Sequence, residues 1–181
     1  AAVQYMPLFH DKTAEIGKTY YYRIIAKNEY GVSLPSNTQG PVMVKYQARI
    51  DEMRSFARLY FQNGKWKSDT KNCRQFKEDI DRLEGTKNSE LVYRVPGPIT
   101  GWRIYSFTEK KGQNLELSVS ENGKNYRGVT SDITSVYSGS GDYNYWRPVL
   151  YESECHIPEV QYLKIKLKHK SQIGRVEVYY G

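Results

Sequence analysis

A hairpin signal lies at residues 115–126, which run Leu-Glu-Leu-Ser-Val-Ser-Glu-Asn-Gly-Lys-Asn-Tyr. The two leucines and the valine alternate with polar residues, which is the period of a half-buried β-strand. The following Asn122-Gly123 pair suits a tight reversal, because both residue types accept positive φ angles. The stretch therefore predicts two antiparallel strands with one face in a core.

Other segments from residue 42 onward share this strand pattern. Further strands are expected at Leu91–Val95, Ile99–Phe107, Tyr162–Lys168 and Ile173–Tyr180. A single helical turn is expected between Phe76 and Leu83. Many short strands separated by turn residues are typical of antiparallel sandwiches. We therefore predict an all-β antiparallel β-sandwich of about eight strands, of the jelly-roll type.

The hairpin also resembles a known family. Residues 115–126 are similar to the Val-Ser-x-Asp-Gly-x-x-aromatic hairpin of discoidin-like (coagulation-factor C-type) modules and related carbohydrate-binding sandwiches, with Asn122 in place of the usual Asp. Tyr162–Ile165 and Ile173–Val178 resemble the closing strands of those modules. The resemblance covers residues 90 to 181 and implies an accessory module of a bacterial secreted glycoside hydrolase.

The amino-terminal part resembles a different family. Residues 19–37 are similar to the last two strands of a fibronectin type III domain, and Gly17-Lys18-Thr19-Tyr20 makes Tyr20 the expected tyrosine corner. A whole domain of that kind needs about 100 residues, so the chain is expected to open inside one. Gly40-Pro41 marks the expected boundary. We predict a carboxyl-terminal part of a fibronectin type III domain at 1–40 and a discoidin-like sandwich at 41–181.

The composition favours an anionic partner without identifying it. The net charge is +7, which suits nucleic acid, an acidic lipid surface or an acidic polysaccharide, yet no run of five lysines or arginines occurs. No apolar stretch approaches the ~20 residues of a membrane-spanning helix, so no membrane insertion is expected. The two cysteines, Cys73 and Cys155, leave one disulfide bridge open as an alternative.

No motif in the sequence predicts catalysis. The three histidines are scattered, and no nucleophile elbow, phosphate loop or zinc spacing occurs. A glycosidase needs two facing carboxyl groups, and no spacing here brings a pair together. Asp79 and Asp81 are the expected ligands of a structural calcium, for which this segment alone supplies too few oxygen atoms. We expect this chain not to be an enzyme, although the resemblance implies that its parent is a glycoside hydrolase.

Most of the candidate carbohydrate-binding residues follow a Gly/Ser-rich stretch. These are Tyr143, Asn144, Tyr145, Trp146 and Arg147. The remaining candidate is Trp66, which lies between two lysines. Aromatic rings cover the apolar face of a sugar, while amide, carboxylate and guanidinium groups bind its hydroxyls. The alternative is that both tryptophans pack into the core, since Trp is usually largely buried.

Lys164, Lys166, Lys168 and Lys170 form a row on one face of a predicted strand. Nucleic-acid binders place aromatic residues among such charges, and this row has none between its lysines. We interpret the row as a solvated outer face and expect no nucleic acid partner.

These patterns together predict a binding module. We expect a non-catalytic carbohydrate-binding accessory domain of a larger secreted, periplasmic or cell-surface enzyme that degrades polysaccharide. Its expected partners are a polysaccharide, with the positive charge favouring an acidic one, and neighbouring domains of the same polypeptide. The alternative is a structural spacer with no ligand of its own.

Overall fold

The computed structural model describes residues 11, 13–76, 79–109, 112–135 and 146–181. The chain forms two compact units, one of them His10–Gln47 and the other containing Ala48–Gly181. Among the described residues, no helix has the length and apolar character needed to cross a membrane.

The smaller unit contains two pairs of antiparallel strands. Its strands are β1 (Thr19–Tyr22), β2 (Lys27–Asn28), β3 (Gly31–Val32) and β4 (Gln39–Met43). β1 pairs with β4, and β2 pairs with β3 across a turn in which the Asn28 side chain accepts hydrogen bonds from the amides of Tyr30 and Gly31. Gly40-Pro41 lies inside β4, so the unit extends past the boundary expected there.

Tyr20 makes the kind of contact that a tyrosine corner makes. Its hydroxyl accepts a hydrogen bond from the backbone amide of Glu15 at 3.0 Å, five residues upstream. Every described residue from 13 to 47 is half-buried or exposed, so this unit has no buried core of its own. Its assignment to the fibronectin type III family remains a proposal.

The regular secondary structure of the larger unit is almost entirely β-strand. They are β5 (Gln47–Asp51), β6 (Phe61–Asn63), β7 (Trp66–Asp69), β8 (Arg82–Gly85), β9 (Glu90–Arg94), β10 (Ile99–Thr108), β11 (Leu115–Ser120), β12 (Arg127–Val129), β13 (Asp132–Ser135), β14 (Arg147–Ile157), β15 (Tyr162–Leu167) and β16 (Ser171–Tyr180). A single turn of 3-10 helix lies at Cys73–Phe76, before the segment in which the sequence predicted it.

The strands form two antiparallel sheets. The seven-stranded sheet has the order β13-β14-β10-β16-β8-β7, with β5 also paired to β16. The five-stranded sheet has the order β12-β11-β15-β9-β6. The predicted all-β antiparallel sandwich is therefore confirmed, with more strands in the described residues than the sequence indicated.

The core lies between the two sheets and follows from strand alternation. Leu163, Ile165 and Leu167 of β15 are fully buried, whereas the lysines between them are only half-buried. Apolar residues of the seven-stranded sheet meet them, and the largest, Trp102, donates its indole N–H to the Ser131 hydroxyl at 2.7 Å. Burial of alternate residues therefore determines which side chains of each strand face outward.

β14 was missing from the sequence prediction. It pairs with β10 along almost its whole length and with β13 on its other side. Pro148 near its start and the run of polar residues at 152–156 hide the strand pattern in the sequence. β13 pairs only with Val149–Glu152, so the polar part of β14 that follows gets its backbone hydrogen bonds from β10.

We predict that Gly85→Ala destabilises the sandwich. A Cβ atom at Gly85 would lie 2.6 Å from Leu167 Cδ1 and 2.7 Å from Trp66 Cζ3, both in packed surroundings. Overpacking of this kind costs about 1–3 kcal/mol of unfolding free energy. Gly128→Ala is the matched control, because its added Cβ meets nothing within 4 Å. Urea unfolding should show a lower midpoint for the first variant only, and equal midpoints would contradict the packing described.

Candidate functional site: a groove on the five-stranded sheet

Polar side chains of three neighbouring strands share the outer face of the five-stranded sheet. In one row Ser118 of β11 lies opposite Lys164 of β15. In the next row Lys166 lies between Glu116 of β11 and Glu90 of β9. The strand register thus brings together residues that are far apart in the sequence.

These residues line a groove of about 450 Å³, here called the sheet groove. Its polar lining includes Lys164, Lys166, Lys168, Glu90, Gln113 and Ser118. Tyr126, which precedes β12, contributes a half-buried aromatic ring. The groove therefore combines hydrogen-bond donors, acceptors and an aromatic ring on one open surface.

Lys164 is held in place by two partners. Its ammonium nitrogen lies 4.1 Å from the centre of the Tyr126 ring and 3.7 Å from a carboxylate oxygen of Glu90. The first contact is a cation–π interaction and the second an ion pair. Burial raises the pKa of the Tyr126 hydroxyl, which is therefore protonated at neutral pH and able to donate a hydrogen bond.

The other two groove lysines have different surroundings. Lys168 donates a hydrogen bond to the side-chain oxygen of Gln113 at 3.1 Å, a neutral partner. Lys166 stands between two glutamates in the register, but within the described part of the chain it forms no ion pair with either. Both ammonium groups are thus without a carboxylate partner there.

Tyr151 of β14 also lines the sheet groove. Its hydroxyl donates a hydrogen bond to the Asn114 side-chain oxygen at 2.8 Å and accepts hydrogen bonds from the backbone amides of Asn114 and Leu115. Burial raises the pKa of this hydroxyl and so keeps it protonated. β12 pairs with β11 only over Leu117–Val119, and this leaves the start of β11 open along the groove.

A second aromatic group lies beside β6 and on β15 of the same sheet, near enough for Tyr60 and Tyr162 to help raise the pKa of the Tyr126 hydroxyl. Tyr60 and Phe61 are more than half exposed, and the Tyr60 ring meets the Tyr162 ring edge-on at 5.2 Å. The Arg94 guanidinium lies 5.6 Å from the centre of the Tyr162 ring. Sequence reasoning missed these residues because their neighbourhood arises from pairing of β6, β9 and β15.

Only part of the predicted carbohydrate site lies among the described residues. Tyr143, Asn144 and Tyr145 lie outside the described residues. Trp146 is only 8% exposed and packs against Phe76, with ring centres 5.2 Å apart, so its ring is not an open platform for a sugar. Arg147 is exposed at the start of β14.

Trp66 packs against the sandwich. Its ring contacts the main core from β7, and its indole N–H donates to the carbonyl oxygens of Asn63 and Glu90. These contacts use the polar atom that a sugar hydroxyl would otherwise engage. Trp66 is therefore accounted for by packing, and its proposed role in binding sugar receives no added support from its position.

Asp79 and Asp81, the proposed calcium ligands, have arginine neighbours. Asp79 is buried beside Arg82, and Asp81 forms an ion pair with Arg54 at 3.3 Å. The described residues contain no group of three His, Cys, Asp or Glu side chains arranged to hold a metal ion. The calcium site remains a prediction. Cys73 and Cys155 are both free thiols.

Comparisons with known proteins concern the architecture. No protein-family model and no curated protein sequence matches the chain. A family GH115 4-O-methyl-α-glucuronidase with specificity for decorated arabinogalactans is similar at 12% identity and a TM-score of 0.45, over 78% of this chain and 19% of that one. The chain thus spans about a fifth of that enzyme's length. The carboxyl-terminal CBM6 of LamC, a marine laminarinase from Zobellia galactanivorans, is similar at 11% identity and a TM-score of 0.41, over 73% of this chain and 98% of that module.

We predict that Asp79 makes stability depend on pH. Burial raises its pKa from 3.8 to about 7, with the Arg82 guanidinium opposing the shift and Asp81 adding to it. The folded state therefore binds a proton that the unfolded chain has lost between these pH values, so stability falls as pH rises from about 4 to about 7. The total effect is about 4 kcal/mol at most.

Asp79→Asn should flatten this dependence, because the amide has nearly the same shape and does not titrate. Urea unfolding of both proteins at several pH values from 4 to 8 measures the difference. Asp132→Asn, at an exposed position, is the control. Parallel pH profiles for the native protein and Asp79→Asn would show that Asp79 is not the group responsible.

Proposed function

We propose that the larger unit binds polysaccharide in the sheet groove and serves as an accessory module of a secreted, periplasmic or cell-surface enzyme that degrades polysaccharide. The observation that supports this is the groove itself. It is open, and it presents lysine, glutamine, serine and carboxylate groups beside a tyrosine ring.

The chemistry of the groove suits sugar hydroxyls. A sugar presents donors and acceptors around its ring together with an apolar C–H face, which aromatic side chains cover. Ser118 and Gln113 can donate or accept, Lys166 donates, and Glu116 accepts. Tyr126 provides the ring and a hydroxyl. The antiparallel sheet fixes the backbone positions that carry these groups, so no segment of the chain has to become ordered on binding.

Binding would act through proximity. A module that holds its polypeptide at a polysaccharide surface raises the local concentration of substrate around a linked catalytic domain. Weak contacts are sufficient, because the gain comes from effective concentration rather than from tight binding at one site. We also propose that this chain is not itself catalytic.

The segment Tyr143–Arg147 is a second part of the proposal. Arg147 is exposed at the start of β14, and the preceding aromatic and amide residues lie outside the described part of the chain. We propose, from their residue types, that they contact sugar rings and hydroxyls. Trp146 itself packs on Phe76.

We predict that Tyr126→Ala weakens binding to polysaccharide by about three- to tenfold, since an aromatic contact contributes about 0.5–1.5 kcal/mol. Affinity gel electrophoresis against β-glucan, arabinogalactan, polygalacturonate and sulfated galactan measures the loss. Tyr30→Ala removes a tyrosine that is 88% exposed in the smaller unit, so it should migrate like the native protein. Absence of retardation on every polymer would favour the structural spacer, and release of reducing sugar by the isolated chain would favour an enzyme.

We predict opposite effects for two residues of the 143–147 segment. Tyr143→Ala should reduce retention on the polysaccharide gel and leave the unfolding midpoint unchanged. Trp146→Ala should lower the unfolding free energy by about 3–5 kcal/mol, because it empties a buried aromatic site. Thermal unfolding of each variant separates the two effects. Unchanged retention of Tyr143→Ala would remove that residue from the proposed site.

A further inference from the structure

We infer that the polysaccharide bound in the sheet groove is anionic and that Lys166 and Lys168 contact its carboxylate or sulfate groups. The inference rests on the proposed function and names the class of its ligand. It assigns a binding role to a lysine row that the sequence pattern alone had indicated to be a solvated outer face.

The spacing of the lysines suits a repeating ligand. Lys164, Lys166 and Lys168 are alternate residues of β15 and its end, so they project from the same face of the sheet. Successive residues on one face of an antiparallel strand are about 6.8 Å apart along the strand. Such a row offers positive charge at regular intervals along the groove, so a polyanion can contact it at more than one point.

Lysines outnumber carboxylates in the lining of the groove, and only one of the lysines forms an ion pair among the described residues. The lining contains three lysines against Glu90 and Glu116, and Glu90 is engaged with Lys164. Lys168 has the neutral partner Gln113, and Lys166 has no ion pair in the described part of the chain. Two ammonium groups therefore remain available for an anion from the ligand.

The position of these ammonium groups strengthens their effect. All three lysines are half-buried. Charges at a partly desolvated surface interact more strongly with an anion than charges in bulk water do. The net charge of +7 adds a long-range attraction for polyanions.

The groove favours an acidic polysaccharide over single-stranded nucleic acid. Proteins that bind single strands stack successive bases on several aromatic rings. The described lining of the groove holds a single partly exposed ring, that of Tyr126, because the Tyr151 ring is buried. A series of stacking platforms along the lysines is therefore lacking among these residues, whereas charged and hydroxyl-binding groups are plentiful.

The test compares each anionic polymer with its own neutral derivative. The native protein is titrated by calorimetry with polygalacturonate and carboxyl-reduced polygalacturonate, and with sulfated galactan and its desulfated form. We expect at least one anionic polymer to bind about tenfold more tightly than its neutral partner, the scale of a single charged hydrogen bond. Raising the salt from 0.1 M to 1 M shortens the screening length from about 10 Å to about 3 Å and should weaken that preference severalfold.

Three variants identify the responsible charges. Lys166→Gln should weaken binding to the anionic polymer by about tenfold and binding to the neutral derivative by a clearly smaller factor, because the Gln amide can still donate to a hydroxyl. Lys166→Arg keeps the charge and should retain most of the affinity. Lys65→Gln removes an exposed lysine outside the groove and should bind like the native protein. Thermal unfolding checks that each variant is folded.

The outcomes separate the inference from the proposed function. Equal affinity for a polymer and its neutral derivative would leave polysaccharide binding intact and overturn the inference. Binding to no polymer would overturn both. Tighter binding to single-stranded DNA than to any acidic polysaccharide, lost in Lys166→Gln, would also overturn the inference, because it would assign the lysines to nucleic acid.

Discussion

The outer face of the sandwich depends on the burial of Leu163, Ile165 and Leu167 in β15. Side chains alternate between the two faces of a strand, so a register shift of one residue would exchange these apolar groups with the lysines between them. Placing lysines in the core would cost far more than any contact on the outer face returns. The core therefore determines the register, and the register determines which groups line the sheet groove.

Pairing with neighbouring strands then gives the groove its chemistry. β11 contributes Ser118 and Glu116 beside the lysines, and β9 contributes Glu90 on the other side. Tyr126 comes from the end of a hairpin and meets Lys164 through space. The groove thus consists of groups that only an assembled sheet brings together, and its rigidity comes from the same ladders that stabilise the fold.

Charged residues buried elsewhere have structural roles. Arg82 is fully buried, donates to the Gln172 side chain at 2.7 Å, and lies over the Phe76 ring at 3.9 Å. Arg175 is similarly enclosed, with Glu177 at 2.6 Å and Glu52 at 3.1 Å. These pairs satisfy charges that would otherwise be costly to bury.

The sequence by itself determined the all-β class, the strands at 91–95, 99–107 and 162–168, and the Asn-Gly hairpin, because alternation and turn chemistry are local properties. It did not determine β14, whose polar residues from Ser153 onward form a strand through pairing with β10. Nor could it show that the lysine row faces a tyrosine and two glutamates, since those neighbours lie tens of residues away along the chain. The tertiary structure decided the site, because cross-strand register is a consequence of packing the whole core and not of any single segment.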